Sequence, residues 1–370
     1  MKIGIFIKNN NEIELFKNGC NQQALFVYKS ILKIKNSKCY FIVNGTQKKK
    51  FIDYDTFDFL DNYNNLILKL DCLIYLSQCI SNKDYIKDLK DHNIKTIHYN
   101  CGNIYYIYQE EIIFGKHNYI EQSQSYFLND AIWHIPNYEK NLDFFRALSK
   151  NNENYIVPYV WDDTILKRWI EDNNYNIKYD KNHSNSETKL ILICEPNVQT
   201  TKTCLIPLLI CEKLFNSGYE NFEICCLCTP ENDNFQTFLN SLNIYINNKI
   251  QTYPRLIFWD VLKQLKSQEK DVYIISHHEN NPLNFLHLET LYLGYPLIHN
   301  SEPINEAGYY YQNIEDAVDQ IKYAFENHKK ISNNYLTKAI EIIDKFNPLR
   351  KNNINNYKKL LDTVCCNNVY

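Results

Sequence analysis

"DVYIISHHENNPLNFLHLETLYLGYPLIHN", residues 271–300, runs from an apolar hexapeptide through a polar loop into a helical segment and out into a second apolar run. "DVYIIS" (271–276) reads as a strand and "PLIHN" (296–300) as another. Between them Asn281 is a good N-cap and Pro282 a good first helical residue, so the helix is expected to start there. Strand, helix and strand in this order make two parallel neighbours of one sheet. Glu289 lies inside the helix among Leu286, Leu288, Tyr292 and Leu293. A carboxylate there is costly unless something polar meets it. Either a ligand does so, or a Lys or Tyr hydroxyl in the core.

The same alternation extends along the chain. "KIGIFI" (2–7), "CYFIVN" (39–44), "CLIYLS" (72–77), "KTIHY" (95–99), "AIWHIP" (131–136) and "YIVPYVW" (155–161) read as strands, with helices over 21–33, 82–92 and 138–150. A polar stretch follows, "EDNNYNIKYDKNHSNSETK" (171–189), which reads as a linker. Beyond it come the strands 190–194, 222–228 and 249–253 with helices over 203–218, 234–243 and 256–267, then the opening stretch. Helices over 314–328, 335–346 and 353–364 finish the chain. This pattern predicts an α/β fold of two Rossmann-like doubly wound domains facing a cleft, with C-terminal helices. The expected division is a first domain over 1–170, a linker over 171–189, a second domain over 190–330 and terminal helices over 331–370.

Composition limits what such a protein does. A chain of 370 residues suggests about two domains at roughly 150 residues each. Hydrophobic content of 45% against 22% charged residues is that of a globular protein rather than a disordered one. A formal net charge of -3 gives no basic footprint for nucleic acid. No run approaches the ~18 apolar residues of a membrane span, "CLIPLLIC" (204–211) being the densest. The 13 cysteines lack a secreted-domain spacing and read as small core residues in a reducing, cytoplasmic compartment. Cys225 and Cys228 fall on opposite faces of a strand and cannot share a metal.

Ser276, Glu279, Glu289 and Gly294-Tyr295-Pro296 together resemble a motif of GT-B class glycosyltransferases. There a strand ends in Ser, a Glu follows three positions on, and a second Glu precedes Gly-x-Pro by five. "EPN" (195–197) with "KTCLIPLLICE" (202–212), "NPLNFLHLETLYLGYP" (281–296), "WDD" (161–163) and "YNCGN" (99–103) are similar to a poorly characterised group of bacterial and large-DNA-virus proteins regarded as glycosyltransferases. The resemblance implies transfer of a sugar from a nucleotide-diphosphate sugar to a glycan or protein hydroxyl, in a host cell's cytoplasm if the source is viral. It implies no cofactor beyond that donor. In that class the second Glu, here Glu289, takes the ribose hydroxyls, and the first touches the sugar. Glu279 lies ten residues before Glu289 where the common spacing is eight, and Asn281 holds the eight-back position, so both stand for that contact. Lys202, at the start of the helix after the second domain's first strand, stands where the class places a base for the donor phosphates, or is a solvated lysine. Asn197, His278 and Asn284 complete the donor-side set. Two rival readings are a sugar-nucleotide epimerase of the same fold and a catalytically silent binding or assembly protein.

On the acceptor side, Gly19 and Asn21 are expected to form a tight turn with amides toward the cleft. His98, read at the carboxyl end of a strand, could deprotonate the acceptor or point into the core. Glu110, Glu111, Asp162 and Asp163 are lesser candidates. Asp53-Tyr54-Asp55 has a metal-nucleotide DxD form but lies in a generally acidic stretch. His277 and His278 diverge as neighbours and lack a third ligand nearby, so one of them is expected to line the sugar pocket instead. Donor binding is therefore expected to need no metal.

Overall fold

The computed structural model describes residues 1–7, 16, 19–44, 52–76, 83–115, 119–149, 153–182 and 188–366. Its contacts divide the chain into two units, Met1–Ile165 with Phe346–Tyr370, and Leu166–Lys345.

The first unit is built on a seven-stranded parallel sheet: β1 (Lys2–Ile7), β2 (Lys38–Val43), β3 (Thr56–Asp58), β4 (Cys72–Leu76), β5 (Lys95–Asn100), β6 (Ala131–His134) and β7 (Glu153–Ile156), in the order β3-β2-β1-β4-β5-β6-β7. Central strands of such a sheet are covered on both faces, which is why "KIGIFI" and "CLIYL" are near-continuous apolar runs buried almost throughout. The connecting helices are α1 (Gly19–Leu32), α2 (Lys83–Asp91), α3 (Ile104–Phe114), α4 (Tyr119–Ser123) and α5 (Leu142–Leu148). Phe6, Ile42, Phe59, Leu73, Tyr75 and Leu89 pack together in its core. The order reverses between β1 and β4, and the loops leaving their carboxyl ends fall largely outside the described residues.

The second unit begins with α6 (Thr164–Asn173), whose first two residues belong to the first. Its six parallel strands are β8 (Lys189–Ile193), β9 (Phe222–Cys226), β10 (Ile250–Thr252), β11 (Asp271–Ser276), β12 (Leu297–His299) and β13 (Tyr309–Tyr310), ordered β10-β9-β8-β11-β12-β13. They alternate with α7 (Leu205–Asn216), α8 (Asp233–Asn240), α9 (Asn243–Ile246), α10 (Phe258–Ser267) and α11 (Phe285–Leu293), and α12 (Ile314–Asp344) follows. Two predicted helices, 314–328 and 335–346, are thus one helix, because the residues between them include neither Gly nor Pro. Its start is capped by Asn313, which accepts from the Asp316 amide at 2.9 Å.

Two expected boundaries are corrected. Residues 174–182 of the polar stretch lie against the second unit rather than hanging free. Ile177 is fully buried, and its carbonyl accepts from Tyr295 Oη at 3.0 Å. The Tyr179 amide donates to the Leu293 carbonyl at 2.8 Å, and Lys266 Nζ to the carbonyls of Asn176 and Lys178. Backbone groups anchor this segment, so side-chain polarity misreports it. The terminal helices also part company: α12 packs on α7 and α11, whereas α13 (Lys351–Cys366) packs on α1 in the first unit. There Tyr357, fully buried, donates to the Pro158 carbonyl at 2.7 Å, and the Trp161 amide to that of Phe346 at 2.9 Å.

Candidate functional site

β8 and β11 are neighbours, with Ile193 beside Ile275, and the strand order of the second sheet reverses between them. A doubly wound sheet binds ligands at this switch point, beyond the carboxyl ends of its strands. Two loops leave from there, residues 194–204 and 277–284. An antiparallel bridge joins Lys202 to His278, and the Glu279 amide donates to the Thr201 carbonyl at 2.9 Å. Asn197, at φ 52°, holds the first loop in shape. Its side-chain Oδ1 accepts from the Cys204 amide at 2.8 Å, and its Nδ2 donates to the Glu195 and Cys228 carbonyls at 2.9 and 3.0 Å.

Under both loops lies Glu195, which sequence reasoning missed. It is fully buried. Its Oε1 accepts from Ser276 Oγ at 2.6 Å and from the His277 amide at 3.2 Å, and its Oε2 from His278 Nε2 at 2.9 Å. Burial alone would push this carboxyl up, but His278, Ser276 and the Lys202 charge together hold it below the usual range. The other ring nitrogen of His278 faces the Asn281 carbonyl at 3.1 Å. Both nitrogens meet acceptors, so both carry hydrogens and the ring balances the buried carboxylate. Ser276 spends its proton on Glu195, hence His287 Nε2, 2.8 Å from Ser276 Oγ, is the donor of that pair. Burial and the neighbouring His278, His299 and Lys202 hold His287 well below the ordinary imidazole range, so the ring is neutral.

The expected donor-side residues share this edge with different tasks. His278 is buried, and His277, beside it, is the partly exposed one. The helix does not begin at Asn281 and Pro282, because His278 engages the Asn281 carbonyl and the loop continues to Asn284. Asn284 is the N-cap residue in extended conformation, with no side-chain capping bond, and its carbonyl accepts from the His287 amide at 3.1 Å. Glu289 meets neither Lys nor Tyr: its Oε2 accepts from Trp259 Nε1 at 3.0 Å. Burial raises its pKa to about 7 against the pull of that bond. Its Oε1 has no hydrogen-bond partner among the described residues. Gly294, at φ 81°, ends α11 in the left-handed conformation that glycine adopts without strain.

The acceptor-side expectations fare differently. His98 lies within β5, which continues two residues further, and it is 1% exposed. It stacks on Tyr126 with ring centres 3.8 Å apart, and burial followed by the His134 charge pushes its pKa down to about 3. So weak a base is poorly matched to deprotonating a hydroxyl near neutral pH. Gly19 and Asn21 are not a turn but the first residues of α1, and Asn21 is buried. Glu111 caps α4, accepting from the Tyr119 and Ile120 amides at 2.8 and 3.0 Å, and Asp162 is paired with Lys29. Glu110 is buried and Asp163 partly so, while Asp53 and Asp55 are exposed. Among the described residues no three His, Cys, Asp or Glu side chains are grouped to hold a metal. Nor is any described helix long and apolar enough to cross a membrane.

Two doubly wound parallel units with a shared switch-point design make this a protein of the GT-B fold. The chain is similar to an α-glucosyltransferase in complex with UDP and a 13-mer DNA containing an HMU base, over 98% of this chain and 99% of that one, at TM-score 0.59 and 12% identity. Sucrose-phosphate synthase from Thermosynechococcus elongatus is similar over 98% and 100% of the two chains, at TM-score 0.55 and 8% identity. The lipopolysaccharide outer core galactosyltransferase WaaB in its apo form is similar over 97% and 100%, at TM-score 0.54 and 12% identity. No curated protein matches the sequence. The chain belongs to the family described as "Protein of unknown function (DUF2827)", whose model matches residues 3–361.

Proposed function

We propose that the chain is a glycosyltransferase that moves a sugar from a nucleotide-diphosphate sugar to an acceptor hydroxyl. The observation that carries this reading is the pair of loops locked together at the switch point of the second sheet. A buried charge pair, Glu195 with His278, is committed to holding them. The loops offer Lys202, Asn281 and the first-turn amides of α11, a set suited to a diphosphate without a metal. Glu289 Oε1, open where Oε2 is held by Trp259, is the group for the ribose hydroxyls. In the reaction the acceptor oxygen bonds to the anomeric carbon, the bond from that carbon to the diphosphate breaks, and the acceptor's hydroxyl proton passes to the departing phosphate oxygen. The diphosphate leaves with the electron pair, stabilised by Lys202 and the amides. The UDP held by the α-glucosyltransferase of the same fold supports this choice of donor.

Thermal-shift measurements with uridine, guanosine, adenosine and thymidine diphosphate sugars test it, since a ligand of the native state raises stability by RT ln(1 + [L]/Kd). At least one donor is expected to raise the melting temperature, in EDTA as well as without it. Release of nucleoside diphosphate that depends on an added acceptor marks a transferase, whereas inversion of a donor carbon without acceptor marks an epimerase. A flat melting temperature across all four donors would overturn the reading.

A further inference from the structure

The two adjacent histidines leaving β11 have opposite surroundings. His278 is closed in on both nitrogens, whereas the His277 side chain is 14% exposed. Its Nδ1 lies 2.9 Å from Tyr311 Oη, on the segment after β13. Tyr311, itself buried, gives its own proton to the Ser276 carbonyl at 3.3 Å. The phenol oxygen can therefore only accept from His277, so Nδ1 carries a hydrogen. The outward Nε2 lies 2.6 Å from Glu279 Oε1, another acceptor, on a side chain 62% exposed. The imidazole thus has an inner nitrogen fixed by a buried phenol and an outer N–H held only by a carboxylate open to water. Exposed pairs of this kind are weakly held and readily exchange partners.

The geometry points to Glu279 as an internal stand-in for a ligand's anionic oxygen on His277 Nε2, displaced when the β-phosphate of a nucleoside diphosphate takes its place. This rests on the nucleotide-diphosphate reading above and deepens it. The carboxylate is a competitor of the phosphate for the outer N–H, in contrast to the sugar contact that the resemblance implies. The groups facing His277 are Glu279 on its own loop, Tyr311 after β13, and Glu195 beneath its amide, on which Lys202 also acts. Burial pushes the Tyr311 phenol well up, so it keeps its proton. Glu195, held low by His278 against its burial, keeps its charge. Exchange of partner leaves the inner bond in place, so the ring turns little on binding.

Calorimetric titration of the full chain with UDP and with inorganic pyrophosphate, at pH 6, tests the inference. Glu279→Ala removes the competitor and its repulsion, and is expected to bind both probes at least threefold tighter than the parent at pH 6. His277→Asn keeps a donor for Tyr311 but has no outer nitrogen, so it is expected to bind both probes at least threefold more weakly than the parent and to gain nothing from Glu279→Ala. His277→Gln, with a donor at the outer position, is expected to bind nearer the parent, which separates loss of the outer N–H from a change in the loop. Unchanged or weaker binding by Glu279→Ala, or parent-like affinity in His277→Asn, would overturn the inference while leaving the nucleotide reading intact. If the parent binds none of the uridine, guanosine, adenosine and thymidine diphosphates, the nucleotide reading fails and the inference falls with it.

Discussion

Glu289 sits on α11 with one oxygen on Trp259 and burial holding its pKa at about 7. A carboxyl raised above its unfolded value binds its proton more tightly in the native state. It therefore adds stability at low pH that is fully present below the unfolded value, near 4.3, and lost as pH rises through about 7. The shift corresponds to roughly 3.5 kcal/mol at most. Glu289→Gln, which keeps an acceptor for the indole, is expected to match the parent at pH 4 and exceed it by up to ~3.5 kcal/mol at pH 8 in urea unfolding. Its affinity for nucleotide should fall by about 1–3 kcal/mol, the range of a hydrogen bond to a charged group. A gap between the variants that is constant with pH would refute the assigned cause. Glu289 was legible in the sequence because a lone carboxylate interrupts an apolar helical period. Glu195 was not, since a charged residue just past a strand reads as loop surface, and its side-chain partners Ser276 and His278 lie 81 and 83 positions away.

The edge of the second sheet depends on one position between the short 3-10 turn Glu302–Ile304 and β13, Gly308, at φ 74°. A Cβ there would stand 2.9 Å from the Leu297 carbonyl oxygen and 2.7 Å from His299 Nε2, which accepts no such approach while it bonds the Ala307 carbonyl at 2.8 Å. Gly308→Ala is expected to cost at least about 1–3 kcal/mol, combining left-handed strain with a backbone clash. Urea unfolding measures it, and a neutral result would mean that β12 and β13 can shift apart freely. The long apolar strands and amphipathic helices were readable from period alone, and the parallel order followed from their alternation. β3 and β13, three and two residues long, are too short to show a period. α3 hides for another reason: Ile and Tyr dominate "IYYIYQEEIIF", and such residues favour strands as readily as helices. The start of α11 misleads because Asn-Pro is a good local start that the His278 contact overrides.

Two domains were evident from the doubled alternation, but not that the chain visits the first one twice. That return is a packing fact, made by α13 through contacts spanning most of the sequence. Tyr357 is fully buried, 2.7 Å from the Pro158 carbonyl and tilted against Trp133. Tyr357→Ala is expected to cost about 3–5 kcal/mol, as for other buried aromatics truncated to Ala. Hydrogen exchange should report it as lost protection in β5 and β6 with β8 and β11 unchanged; equal loss in both sheets would contradict the assignment of α13. The return also sets an order of events at birth. Residues 1–165 leave the ribosome first but lack the helix that covers Tyr99 and Trp133, whereas the second unit is one unbroken stretch, complete at Lys345. At roughly 5–20 residues per second, translating that stretch takes on the order of 10–40 s. Throughout that interval the nascent first half waits with its aromatic face uncovered, in need of a chaperone or of luck, and the half made second is the first able to finish.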